Sequence, residues 1–372
     1  MRQIRALVIF LLSITLWQCR AFGKDPHGDH LEKIKKSTHY DPERDQFVNR
    51  RPDVLEKMRE EQNFFSLLTK FLFGGGKERR PKERLPEIKP DLKEFVKPSE
   101  HIKFIWFGHS TFIVNIQGKI LLFDPVFSGS AAPFSFMVKR FQDAVVSLEE
   151  LPNVDYILIS HDHYDHLDLE TIEFFKQKQT KFITPLGVSS HLKDWGIAED
   201  RLLELDWWQS TDSVDGLKIV CTPSQHFSGR RGMNGNHTLW ASWTVLGKTE
   251  RFYFSGDSGY DTHFKEIGNA YGPFTLTFLE NGQYNPMWRA VHSMPEETAQ
   301  AHLDLKGEKL VPVHWGMFDL SLHNWYEPAE ELEKYAKEKN IDLLTPKFGQ
   351  MVSSQTPNAW ERWWKSLMGT DG

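Results

Sequence analysis

The chain has 372 residues, 45 basic and 51 acidic side chains and a formal net charge of -6, with 40% hydrophobic and 26% charged residues. That balance is globular and excludes disorder throughout, and it lacks the basic excess of a nucleic-acid binder. Cys19 and Cys221 are the only cysteines, so a disulfide framework and a thiolate metal site are excluded by number.

Residues 1–19 read as a signal segment. Arg2 and Arg5 precede the apolar run ALVIFLLSITLW, residues 6–17. The run is short for a membrane span and suits a signal core. Leu16 stands three before Cys19, as in a bacterial lipobox, whereas Trp17 and Gln18 depart from the small residues of that motif. Export to the cell envelope follows, with Cys19 as a candidate lipid attachment point and the membrane surface as an expected partner.

Residues 20–97 read as an N-terminal extension. A polar opening leads to an apolar cluster of Phe64, Phe65, Leu67, Leu68, Phe71, Leu72 and Phe73, stopped by Gly74-Gly75-Gly76. Lys77, Arg79, Arg80, Lys82 and Arg84 follow in a proline-punctuated stretch. The favoured reading is a helix packed on the main domain and a solvated linker. The alternative lays that helix on lipid.

The main domain is expected over residues 98–350. KFIWFGHSTFIVNIQGKILLFDPVF reads as two strands around the turn at Gln117-Gly118. DYILIS (155–160) is a short buried strand, followed by a helix over 169–177. KFITP is another strand, followed by a helix over 187–195. KIVCTP, LWASWTVLG and RFYFSG are strands in series. LTFLE and KLVPVHW flank a helix begun by Pro295-Glu296-Glu297. Strand pairs early and strand–helix alternation later predict a mixed α/β sandwich. Over residues 351–372, Trp360, Trp363, Trp364 and Leu367 sit at helical spacing and predict a Trp-rich helix docked on the core.

The chemistry concentrates in SHDHYDHLD, residues 160–168, directly after a predicted strand. His161, His163, Asp165 and His166 leave a strand end within six positions, so alternating side chains can converge. Imidazole and carboxylate suit zinc. Later strand ends add His226, Asp257 and His314. Any one of these alone would more often be structural.

SHDHYDHLD resembles the HxHxDH signature of the metallo-β-lactamase superfamily. FGHSTFIV, LLFDPVF, TPSQHFSGR, SGDSGY and HWGMFDL, in that order, resemble the branch containing N-acylphosphatidylethanolamine-hydrolysing phospholipase D and its bacterial relatives. The resemblance implies a four-layer αββα sandwich with an N-terminal extension. It implies two Zn2+ per chain: His161, His163 and His226 on one, Asp165, His166 and His314 on the other, and Asp257 bridging.

The implied reaction is attack of a metal-bridging hydroxide on a phospholipid-like phosphodiester, with Asp257 and His292 as catalytic residues. Asp168 and His109 are candidates to orient the ligands, and Gln283 and Tyr284 are candidate substrate contacts. Val291 and the segment 280–284 depart from the mammalian pattern. Two alternatives stand beside this: a lactonase or other acyl hydrolase using the same metals, and a non-catalytic metal-binding protein of the envelope.

Overall fold

A computed structural model describes residues 20–60, 69, 74–211, 216–231, 235–357 and 361–369. The leader, Cys19, Trp360 and the apolar cluster at 64–73 lie outside the described residues. A small hairpin, β1 (Tyr40–Asp41) and β2 (Gln46–Phe47), precedes the main domain. Then come β3 (Lys103–Gly108), β4 (Thr111–Ile116), β5 (Lys119–Phe123), β6 (Tyr156–Leu158), β7 (Lys181–Pro185) and β8 (Leu202–Leu205). The second half adds β9 (Lys218–Thr222), β10 (Ser242–Leu246), β11 (Arg251–Phe254), β12 (Phe274–Glu280), β13 (Gly307–Val313) and β14 (Asp342–Leu343). A last strand, β15 (Met351–Ser353), returns to the first sheet.

One sheet has the order β15-β3-β4-β5-β6-β7-β8 and the other β14-β13-β12-β11-β10-β9. Period-two alternation sorts each strand between two cores. Phe104, Trp106, Phe112, Val114, Leu121 and Phe123 face the interior between the sheets, where Phe254, Phe278 and Val311 answer from the second sheet. Phe112 stacks on Phe278 with ring centroids 4.3 Å apart. The opposite face carries Ile105, Phe107, Ile113 and Leu122 against the helices Leu169–Phe175 and Ser189–Asp194. Tyr253, Leu279 and Leu310 meet the helices His263–Tyr271 and Pro295–Asp304 on the far side of the second sheet. The result is the expected four-layer αββα sandwich.

Three expectations are corrected. The first apolar run forms three strands, not two, because the chain breaks at His109, whose φ is +52°. The C-terminal segment opens with β15 on the edge of the first sheet, pairing with β3. Trp363 and Trp364 lie on a short 3-10 helix, Trp363–Leu367, in place of an α-helix. Trp363 and Trp364 are nevertheless buried in the central core, as expected of a docked face. Finally, the N-terminal extension is more than a linker: Ile34, Tyr40, Phe47 and Leu85 belong to that same core. Among the described residues no helix is long and apolar enough to cross a membrane.

Candidate metal centre

The site lies at one edge of the sandwich, where both sheets deliver strand ends. The loop after β6 carries His161, His163, Asp165 and His166. His226 follows β9, Asp257 follows β11 and His314 follows β13. All seven side chains singled out from the sequence come together. Donor atoms of His161, His163, His226 and Asp257 lie within 4.8 Å of one another. So do those of Asp165, His166 and His314, joined by His109.

Asp257 stands between the two groups. Its Oδ2 is 3.2 Å from His166 Nε2, 3.7 Å from His226 Nε2 and 3.8 Å from His161 Nε2. Its Oδ1 is 3.1 Å from His314 Nδ1 but makes no hydrogen bond.

Outer contacts fix which imidazole nitrogens carry protons. His166 Nδ1 donates to Asp124 Oδ2 at 2.7 Å, so its Nε2, buried and without a hydrogen-bond partner, carries a lone pair when the ring is neutral. His226 Nδ1 donates to the Val291 carbonyl at 3.0 Å, which leaves its Nε2 bare as well. His163 Nδ1 meets two imidazole nitrogens, His161 Nε2 at 2.8 Å and His226 Nε2 at 3.3 Å.

Burial pushes His161, His226 and His314 well below the usual histidine range and lowers His163 and His109 too. Burial alone would raise the Asp257 carboxyl, but His166 and His314 hold it well below the usual carboxylate range. His166 is the exception among the histidines, raised above the usual range against its burial by the carboxylates of Asp257, Asp165 and Asp124. The other imidazole lone pairs converging on the buried Asp257 carboxylate are repulsive unless a cation lies among them. The donor set therefore fits divalent metal of the imidazole–carboxylate class. His163 and Asp165 are only partly buried, so the centre has an open side.

Residues from distant parts of the chain hold these donors in place. Asp124, at the end of β5, takes the Ser160 amide at 2.7 Å and the Ser160 hydroxyl at 2.5 Å in addition to His166. His109 Nε2 meets Asp165 Oδ2 at 2.9 Å, as an orienting residue should. Asp168 plays a different part: it caps the helix Leu169–Phe175 by accepting from the Thr171 amide and hydroxyl. Asp162, between two ligand candidates, turns away to His191 Nε2 at 3.1 Å and the Gly229 amide at 2.7 Å. Asn49, from the N-terminal extension, brackets the His226 backbone at both its amide and its carbonyl.

Asp124, Asp162, His191 and Asn49 were not among the sequence candidates. Asp124 and Asp162 do sit inside the matching motifs. Asn49 and His191 carry no local signal. His109, Asp124 and His314 all have positive φ, +52°, +37° and +68°. Such a backbone costs about 1–2 kcal/mol at a non-glycine residue and persists only where surrounding contacts over-determine it.

Replacing Asp124 by Ala is expected to lower metal affinity by about 10–100-fold, the usual effect of losing an outer partner. It should also cost about 3–5 kcal/mol of stability by breaking a buried pair. Denaturant midpoints and metal titration of the purified variant check both.

His292 belongs to the same cluster. Its ring lies 5.0 Å from that of His226 and 5.4 Å from that of His314. Its Nδ1 meets Glu280 Oε2 at 2.7 Å. Glu280, pushed up to about 7 by burial, also takes the Ser258 and Ser293 amides.

Gln283 and Tyr284, expected as substrate contacts, are buried and turned into the protein. Gln283 Nε2 donates to the carbonyls of His314 and Phe318 at 3.3 and 3.4 Å, and the Tyr284 hydroxyl donates to Glu327 at 3.1 Å. The reason is Gly282, which passes so close under His314 that a Cβ there would lie 1.4 Å from its carbonyl oxygen. The chain dives beneath the strand end, and the next two side chains brace it instead of lining a cleft.

Residues 119–315 match the model of the beta-lactamase superfamily domain. An uncharacterized protein of Mycobacterium tuberculosis is 42% identical over 77% of this chain and 77% of its own length. The N-acyl-phosphatidylethanolamine-hydrolyzing phospholipase D 1 of Caenorhabditis elegans is 36% identical over 66% of this chain and 74% of its own length. A 102-residue stretch is 48% identical to the outer membrane protein RomA of Klebsiella pneumoniae, covering 27% of this chain and 76% of that one. The structure of Igni18, a metallo hydrolase from Ignicoccus hospitalis, superposes with a TM-score of 0.53 at 20% identity, over 68% of this chain and 97% of the other. With this fold and these donors, the chain belongs to the metallo-β-lactamase superfamily and is a metal-dependent hydrolase.

Proposed function

We propose that the chain is a two-zinc phosphodiesterase of the phospholipase D type, acting on a phospholipid-like substrate at the cell envelope. The observation that carries it is Asp257 shared between two donor groups, beside a histidine that neither group needs. Such an open two-site centre is a catalytic design, unlike a closed structural zinc site.

When bound, a zinc pair supplies hydroxide near neutral pH and polarises a phosphoryl oxygen. The protein's own part is positional. Asp257 balances the charge of both groups and fixes their separation. Asp124 and the Val291 carbonyl set the tautomers and ring angles of His166 and His226, and His109 orients the Asp165 carboxylate. Glu280 holds the Nδ1 side of His292, which leaves Nε2 to give a proton to the departing oxygen. Burial alone would lower the His292 pKa, but the Glu280 carboxylate beside it works in the opposite direction and raises it.

Supporting the substrate class is the likeness to the Caenorhabditis elegans phospholipase. Supporting the envelope is the leader ending at Cys19, together with the likeness to an outer membrane protein. Purified protein is expected to hydrolyse a phosphodiester and a phospholipid, with a lactone turned over far more slowly. His163→Ala should abolish that turnover. A lactone preferred over both phosphodiesters would replace this reading with an acyl hydrolase. Turnover that survives His163→Ala would remove the metal centre from the mechanism.

A further inference from the structure

We propose that the loop 129–140 is a bilayer-docking element that holds the metal centre against a phospholipid surface. This deepens the envelope reading above and rests on it.

Phe136 is 72% exposed and Met137 42%, in the sequence PFSFMVKR. Phe136 is the most exposed large apolar side chain among the described residues. The loop is built, not slack. Ala131 N donates to the Val138 carbonyl and Arg140 N to the Gly129 carbonyl, both at 3.1 Å. The Arg140 guanidinium holds the Val126 carbonyl at 2.7 Å. A rigid loop presents an aromatic tip at little entropic cost, and apolar tips flanked by cations suit an interface of acyl chains and phosphates. The cations are Lys139, exposed on the loop itself, and Arg80, whose guanidinium donates to the Lys139 and Arg140 carbonyls at 3.2 and 3.3 Å.

The start of the described chain indicates what covers this tip. Phe22 packs edge-on against Phe134, and Phe134 stacks on Phe136, with ring centroids 6.2 and 5.8 Å apart. Residues 20–24 are pinned there. The Arg20 carbonyl takes Trp195 Nε1 at 2.8 Å, the Ala21 carbonyl takes Arg230 Nε at 2.8 Å, and Lys24 N donates to His191 Nδ1 at 3.0 Å. The chain therefore enters the described fold at Arg20, two residues before Phe22 and its contact with the tip loop. A bilayer entered by the segment that precedes Arg20 would meet Phe136 and Met137 as well.

The same loop is anchored beside the helix that follows the histidine-rich segment and reaches towards the metal centre through Arg140. Ser128 N donates to Asp168 Oδ2 at 3.1 Å. The Arg140 guanidinium lies 5.4 Å from the Phe318 ring, which meets the His109 ring at 5.1 Å. Docking through the tip thus fixes the distance between bilayer and site.

The test uses the full chain carrying Cys19→Ser and Ser135→Cys, the new thiol bearing an environment-sensitive fluorophore; Cys221 is fully buried. On vesicles of phosphatidylethanolamine and phosphatidylglycerol, the emission should shift to the blue and be quenched by brominated acyl chains. Emission unchanged by vesicles overturns the proposal, as does a shift that follows protein concentration alone, the mark of a second copy covering the tip.

The chain with Phe136→Asp and Met137→Asp should lose at least about tenfold in hydrolysis of vesicle phospholipid, the scale of withdrawing one or two large apolar side chains. It should keep its rate on a water-soluble short-chain phosphodiester. Equal losses on both substrates would make the loop structural and overturn the proposal. If no phosphodiester is turned over by any form while the fluorescence responds, the phosphodiesterase reading fails and docking stands.

Discussion

Asp257→Asn is expected to lower turnover of the best phosphodiester by more than about 100-fold, beyond the usual effect of losing a residue that only orients a ligand. The shape of the side chain is kept and the charge is lost. Three imidazole nitrogens lie within 3.8 Å of Oδ2, and a fourth lies 3.1 Å from Oδ1. An amide would offer one of them an N–H where a lone pair is wanted. It would also leave the converging histidines, and any cation they hold, without their shared counter-charge. Metal analysis should find less than the full complement in Asp257→Asn, while the far-ultraviolet spectrum stays that of the parent. A variant with full metal content and parental rate would remove Asp257 from the bridging position.

Chelation is expected to act on both activity and stability. The parent should contain two equivalents of zinc, and exhaustive treatment with chelator should abolish turnover, which added zinc restores. In the absence of metal, bare nitrogens such as His226 Nε2 face a buried carboxylate with nothing between them. A ligand at a thousandfold excess over its Kd stabilises the folded state by about 4 kcal/mol. For a domain of this size, that is a shift on the order of 10 °C in Tm. Calorimetry with and without zinc gives the comparison. An unchanged Tm with far less than two bound equivalents would leave the donors as a hydrogen-bonded cluster without a metal.

Much of the centre was legible because its donors are either dense or stand at the ends of apolar runs. SHDHYDHLD announces itself locally, and His226, Asp257 and His314 each follow a recognisable strand. What supports them was far less visible. Asn49 reaches His226 across 177 positions, and Asp124 reaches His166 across 42. Contacts of that separation leave no periodic trace. The break at His109 was hidden because the residues on either side read as one apolar run, and nothing in composition marks a left-handed histidine. Gln283 and Tyr284 misled because closeness in sequence to a strand end suggests a cleft, whereas the missing Cβ of Gly282 lets the backbone pass underneath.

The last strand of the first sheet has a consequence for biosynthesis. β3 is among the first elements of the sandwich to be made, yet the partner for its outer edge, β15, is among the last. Until residues 351–353 have emerged, the apolar edge KFIWFG is open to any stray strand. Unpaired edges of this kind template aggregation. A growing chain therefore exposes that edge for nearly the whole time of its synthesis, and stop codons shortly before residue 351 should yield insoluble protein even though every donor atom has already been made.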